Sequence, residues 1–319
     1  MPNFALHTLL ASRVVENWAG DPAAAPFDPA DPVSRNAFYH GAVGPDMGMY
    51  PGGDHLLSAL VHRMRSGQLT RTLIETARSD AERAFAWGWL THVLADRELH
   101  PVVNQIAAAS LGWDAPRLQS PSQMGAHVRV EMGLDAEYVA RHPFLWEVRL
   151  HSATREPLVG LIQVALFDTY GVWFDGAAIV RSHRAVLRFH RHVLLVARHT
   201  ARTWGAPVPP SPALRVVGAV IGLLQSVTGA VAPPTTVAFL DPDRPTAALR
   251  ERVDDVIERF PEMVDHHRAT KLATLPDYDL ETGGIEEPSS PTPSTLEVLR
   301  GLSEQGLEVV GRTATEEAA

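Results

Sequence analysis

Three side chains able to ligate a metal recur at four-residue steps, His92, Asp96 and His100, in the run WLTHVLADRELHP of residues 89–101. An α-helix turns ~100° per residue, so a four-residue step returns almost to the same face. The spacing therefore predicts a helix that carries all three on one stripe. His127 and Glu131 repeat the step downstream. One helix cannot surround an ion, so stripes of this kind require several helices packed with their ligands inward.

The rest of the chain agrees with a helical fold. Apolar residues keep helical spacing over 4–18, and Asp54 stands where an N-cap would open a helix from about His55 to Met64. Further helices are expected over 70–78, 80–99, 101–110, 122–141, 144–167, 177–203, 212–231 and 245–271. No run of alternating β-branched residues predicts a sheet. The fold class expected is all-α, a multi-helix bundle with a metal cluster held between helices. One helical domain is expected over 1–282. Residues 283–319 read as a Pro/Ser-rich linker, a short helix at about 295–304 and a flexible tail.

Composition narrows the function. The 319 residues are 45% hydrophobic, enough for a sizeable core. A net charge of −9 gives no global attraction for nucleic acid or anionic membranes. With no cysteine, a metal here has only nitrogen and oxygen ligands. The first residues lack a basic segment followed by an apolar core, so a cytoplasmic location is expected. The most apolar stretch, Ala213 to Ala232, falls short of a spanning helix and is read as a buried one.

The residues with ligand potential before position 135 are His7, Asp46, His55, His92, Asp96, His100, His127 and Glu131. One zinc takes four or five donors, so two or three ions are implied, with Asp96 as a carboxylate bridge. In this order, together with the Phe38-to-Asp46 stretch that includes Gly41 and Pro45, the set resembles the zinc-dependent phospholipase C family and its relatives, the zinc-dependent single-strand nucleases. The resemblance spans roughly residues 1–135.

It implies a division of labour. His55, His92 and Asp96 would hold one zinc, with Asp46 as ligand or general base. His100, His127 and Glu131 would hold a second. His7 and Asp96 would hold a third with the chain's own terminal amine and carbonyl. Family members that are secreted supply that terminus as a tryptophan. This chain has none there, and removal of Met1 would offer Pro2 instead, five residues before His7. The expected chemistry is hydrolysis of a phosphate ester by a zinc-bound hydroxide. Single-strand nuclease or nucleotidase activity, and a non-catalytic zinc-stabilised binding protein, are the alternatives. The expected partner is a phosphate-ester substrate, with no stable nucleic-acid complex and at most peripheral membrane contact.

Phe38, Tyr39, Met47, Met49, Tyr50, Trp87 and Trp89 lie close in sequence to these ligands and are candidates for the substrate lining. Weaker signals read as solvated faces. These are the stripe of Arg181, Arg184, Arg188, Arg191, Arg198 and Arg202, and the acidic Asp254, Asp255 and Glu258. Metalloprotease, nucleophile-elbow and P-loop motifs are missing.

Overall fold

A computed structural model of the chain describes residues 4–118, 120–148, 150, 156–227, 241–287, 289 and 291–311. The helices are α1 (Phe4–Gly20), α2 (Pro32–Ala42), α3 (His55–Arg63), α4 (Ser66–Thr76), α5 (Asp80–Ser110) and α6 (Pro121–Arg141). They continue with α7 (Glu156–Tyr170), α8 (Gly176–Thr203), α9 (Pro212–Val227), α10 (Ala247–Ala269) and α11 (Pro293–Glu304). Short 3-10 turns sit at Pro45–Gly48 and Pro143–Trp146. Strands β1 (Tyr278–Asp279) and β2 (Gly284–Ile285) pair antiparallel, Tyr278 opposite Ile285. The class is all-α.

The axis of the bundle is α5. Ser79 and Glu82 close a capping box at its start, which satisfies amide groups that the first turn leaves without partners. Sequence reading breaks this helix at Pro101, yet it runs on to Ser110. An internal proline loses its own N–H bond and presses its ring on the carbonyl four residues back, here that of Arg97, and the packing around α5 outweighs that local cost.

Glycine lets α2 lie directly on α5. A Cβ at Gly41 would stand 2.0 Å from the Phe85 carbonyl oxygen, and one at Gly88 would stand 2.0 Å from that of Phe38. This backbone contact brings the Ala42 carbonyl within reach of the ring of His92. Around the crossing, Trp18, Phe27, Phe38 and Trp87 pack edge to face in the core.

The first helix is buried on nearly every face from Phe4 to Ser12. Its opening amides at Ala5 and Leu6 donate to Asp135 Oδ1 of α6, at 3.0 and 3.2 Å. This distant cap fixes where α1 presents His7. On the far side, Ser58 of α3 accepts from the Gly48 amide at 2.7 Å, and Ser182 of α8 accepts from Asp54 N at 2.9 Å. The first bond fixes the turn that carries Asp46, and the second fixes the start of α3.

Three expectations need correction. The predicted helix 144–167 is a 3-10 turn ending at Trp146 and a separate α7 starting at Glu156, because Pro143 and Pro157 each favour a helix start. The helix α9 is not buried, since it packs along α8 while Val216 and Val220 are 63% and 49% exposed; the rest of that apolar stretch, from 228, lies outside the described residues. Residues 284–285 form a strand in a hairpin packed on the bundle rather than a linker. Among the described residues, no helix is long and apolar enough to cross a membrane.

Candidate metal centre

The stripe on α5 points inward. His92 and Asp96 are buried, and His100 is nearly so. Their side chains meet those of α1, α3, α6 and the Pro45–Gly48 turn in three groups, each with ligand atoms within 4.8 Å of one another. One group is His7, His92 and Asp96; another is Asp46, His62 and His92; the third is His100, His127 and Glu131.

Asp96 stands at the centre. Its Oδ1 lies 3.3 Å from His7 Nε2 and 3.6 Å from His100 Nε2. Its Oδ2 lies 3.0 Å from His92 Nε2 and 3.6 Å from His62 Nε2. Asp46 Oδ1 is 3.1 Å from His62 Nε2. Glu131 Oε1 is 3.2 Å from His127 Nε2 and 3.3 Å from His100 Nε2. Two donors about 2.1 Å from one tetrahedral zinc would stand about 3.4 Å apart. The observed separations bracket that value.

The histidine rings are aimed. His92 Nδ1 lies 2.9 Å from the Ala42 carbonyl oxygen, and His62 Nδ1 lies 2.7 Å from that of Ser58. His100 Nδ1 is 2.5 Å from the Leu280 carbonyl oxygen, and His127 Nδ1 is 2.8 Å from Asn104 Oδ1. Each oxygen fixes the proton on Nδ1 and leaves the Nε2 lone pair facing the shared centre, the arrangement of metal-ligating histidines. His92 Nε2 and Asp96 Oδ2 are both buried without a hydrogen-bond partner, although only 3.0 Å apart. Buried polar atoms rarely go unsatisfied. A cation between them satisfies both, so the residues fit zinc.

Electrostatics point the same way. Burial opposes ionisation of Asp96, yet His100 and His92 hold its carboxyl well below the usual range. Burial likewise opposes the charge on Glu131, and His127 and His100 keep it ionised. Burial disfavours the cationic forms of His92 and His100, but Asp96 outweighs it and pushes them up to about 9 and about 10. Without metal, protons occupy nitrogens that a metal would take, so metal and proton compete there. His7 goes the other way: its burial and the neighbouring His92, stacked at 4.2 Å, lower its pKa.

The structure brings His7, Asp46, His92, Asp96, His100, His127 and Glu131 into these groups. It does not bring His55. That residue is exposed at the start of α3 and reaches only the cavity wall. His62, two turns later on the same helix, is buried and occupies the inner position. Sequence reading missed it. The available signal was its seven-residue offset from His55, which puts both on one face while burial favours the later turn. Pro2 lies outside the described residues.

Beside the groups is a cavity of about 330 Å³. Met49, Leu118, Met124 and Val128 give it an apolar side, and Arg63 and Glu281, paired at 2.6 Å, give it a polar edge. Of the aromatic and methionine residues expected as lining, only Met49 is there. Phe38, Met47, Tyr50, Trp87 and Trp89 are buried core, and Tyr39 packs against that core.

A family model for zinc dependent phospholipase C matches residues 6–176, more than half of the chain. No curated protein and no solved structure matches the chain. The matched span holds all eight residues of the three groups. The chain therefore belongs to the zinc-dependent phospholipase C family, hydrolases of the zinc phosphodiesterase type.

Proposed function

We propose that this protein hydrolyses phosphate diesters with two or three zinc ions, held by His7, Asp46, His62, His92, Asp96, His100, His127 and Glu131. The observation that carries the reading is Asp96, whose two oxygens lie between histidines of α1, α3 and α5. A carboxylate so placed suits a bridge between neighbouring ions. When bound, zinc supplies charge stabilisation to phosphoryl oxygens and makes a water nucleophilic near neutral pH.

The chain's own residues divide the remaining work. Asp46 lines the cavity, and although burial favours its neutral form, His92 and His62 keep it ionised. As a carboxylate it serves as a ligand or accepts a proton from the attacking water. The carbonyls of Ala42 and Ser58 hold His92 and His62 in the tautomer that frees Nε2. Asp135 anchors the start of α1 and so places His7.

The cavity favours a phospholipid-like ester over a nucleotide. Its apolar side is aliphatic and thioether, and among the described residues no Phe, Tyr or Trp lines it; the rings that do are histidines, all but His55 in the metal groups. Base stacking on Phe, Tyr or Trp, the usual means of holding single strands, finds no such ring in this lining. A cavity opening beside the ligands also speaks against a structural zinc, whose coordination is normally closed.

Hydrolysis of bis(p-nitrophenyl) phosphate and of p-nitrophenyl phosphate by the zinc-loaded chain tests this proposal. The diester should be cleaved, and Asp96→Asn should lower the rate at least ~100-fold, since even residues behind a ligand cost 10–100-fold. Full activity in that variant would remove the bridge from the account.

A further inference from the structure

The ligand residues lie between positions 7 and 131, yet three of their tethers run to a segment beyond the family-matched span. The Leu280 carbonyl oxygen takes His100 Nδ1 at 2.5 Å. The Leu280 amide donates to the His62 carbonyl at 2.7 Å. Asn104 turns Oδ1 to His127 Nδ1 at 2.8 Å and donates from Nδ2 to the Glu281 carbonyl at 2.5 Å. Ligands from α3, α5 and α6 are thus tied to two consecutive residues of one turn.

That turn is itself fixed. Ser66 Oγ donates to the Tyr278 carbonyl at 2.9 Å and accepts from the Tyr278 amide at 2.8 Å. Gly283, at φ +70°, donates to the Asp279 carbonyl at 2.8 Å and rests on α5. A Cβ on Gly283 would lie 2.6 Å from Pro101 Cγ and 2.7 Å from the Arg97 carbonyl oxygen. The close approach sits one residue beyond His100.

We propose that the Tyr278–Ile285 hairpin is a positioning element of the metal centre, fixing which nitrogen of His100 and His127 faces the metal. The proposal rests on the zinc reading above. Those two residues differ from the other histidines in where their support comes from. His92 and His62 are oriented by carbonyls of α2 and α3, whereas His100 is oriented by the hairpin and His127 by Asn104, which the hairpin holds. Displacing the hairpin therefore weakens the His100–His127–Glu131 group most, since the His62 and His92 rings keep their own carbonyl partners even when the Leu280 amide leaves the His62 carbonyl.

The full chain is compared with Gly283→Ala, Asn104→Leu and Leu166→Ala. The last is buried in α7, belongs to none of the three groups and does not line the cavity, and controls for lost stability. Zinc affinity is measured by competition with a chromogenic chelator, and ligand geometry by the visible spectrum of the cobalt-substituted chain. Gly283→Ala and Asn104→Leu should each weaken one zinc by ~10–100-fold, as loss of support behind a ligand does. The other ions should be retained and the cobalt spectrum should change. Leu166→Ala should keep all its zinc and the wild-type spectrum. If Gly283→Ala does not fold, Ser66→Ala, which frees the Tyr278 backbone and leaves Asn104 in place, decides by the same readouts. Wild-type affinity and spectrum in the two variants, or the same zinc lost in Leu166→Ala, overturns the clamp alone. A wild-type chain that binds no zinc overturns the metal reading and the clamp with it.

Discussion

At the scale of single residues, what the sequence makes legible is whatever a helix converts directly into geometry. His92, Asp96 and His100 share a face because they share a helix, and the same holds for His127 and Glu131. The choice between His55 and His62 was not legible, because both fit the same face of α3. Burial favours His62 in the reading proposed above: Asp54 caps the helix, and His55 directly after it is exposed, whereas His62 is buried. Two substitutions separate the assignments. His62→Ala should lower zinc content and cut phosphodiester hydrolysis at least ~100-fold, by the same reasoning as for Asp96. His55→Ala should keep its zinc. Elemental analysis of both proteins checks this, and zinc loss from His55→Ala alone would reverse the assignment.

At the scale of elements, helices with clear caps were readable, whereas their contacts were not. Nothing in the local pattern announces that Gly41 and Gly88 let two backbones touch, since an isolated helical glycine ordinarily only weakens its helix. Gly88→Ala therefore sets two effects against each other. Alanine gains about 1 kcal/mol of helix propensity. Its Cβ, 2.0 Å from a backbone oxygen that cannot rotate away, forces α2 off α5, and overpacking of this kind costs about 1–3 kcal/mol or more. The clash should win, and a thermal melt should show a lower midpoint; a higher one would contradict the crossing.

The two-residue strands are another element too short to leave an alternating pattern, so the hairpin read as loop and linker. Its Asp279 gives a pH-dependent signature. Burial, with Glu281 nearby, raises this carboxyl from 3.8 to about 6. Between those values the native chain keeps a proton that the unfolded chain releases, so stability falls as pH rises through that window. Asp279→Asn removes the penalty and retains an oxygen for the Glu281 amide. It should stabilise the chain at pH 7 by on the order of 3 kcal/mol and leave it nearly unchanged near pH 3.5. Urea unfolding at the two pH values measures this, and an equal gain at both would exclude the buried carboxyl as its cause.

At the scale of the whole molecule, an all-α bundle with ligands turned inward follows from the helical spacing and from the need of several helices to enclose an ion. The resemblance read from roughly residues 1–135 extends, in the family match, through residue 176. What stays hidden in a linear reading is that the far end of the chain returns to the centre, because hydrogen bonds between residues 62 and 280, or 104 and 281, have no local signature. Acidic net charge, absence of thiols and three histidine–carboxylate groups fit one account, in which bound zinc cations offset the buried Asp46, Asp96 and Glu131. Metal stoichiometry tests it most directly, by elemental mass spectrometry on protein purified without a metal-affinity tag and supplied with zinc. The account predicts two or three zinc ions per chain, and a chain that binds none would contradict it.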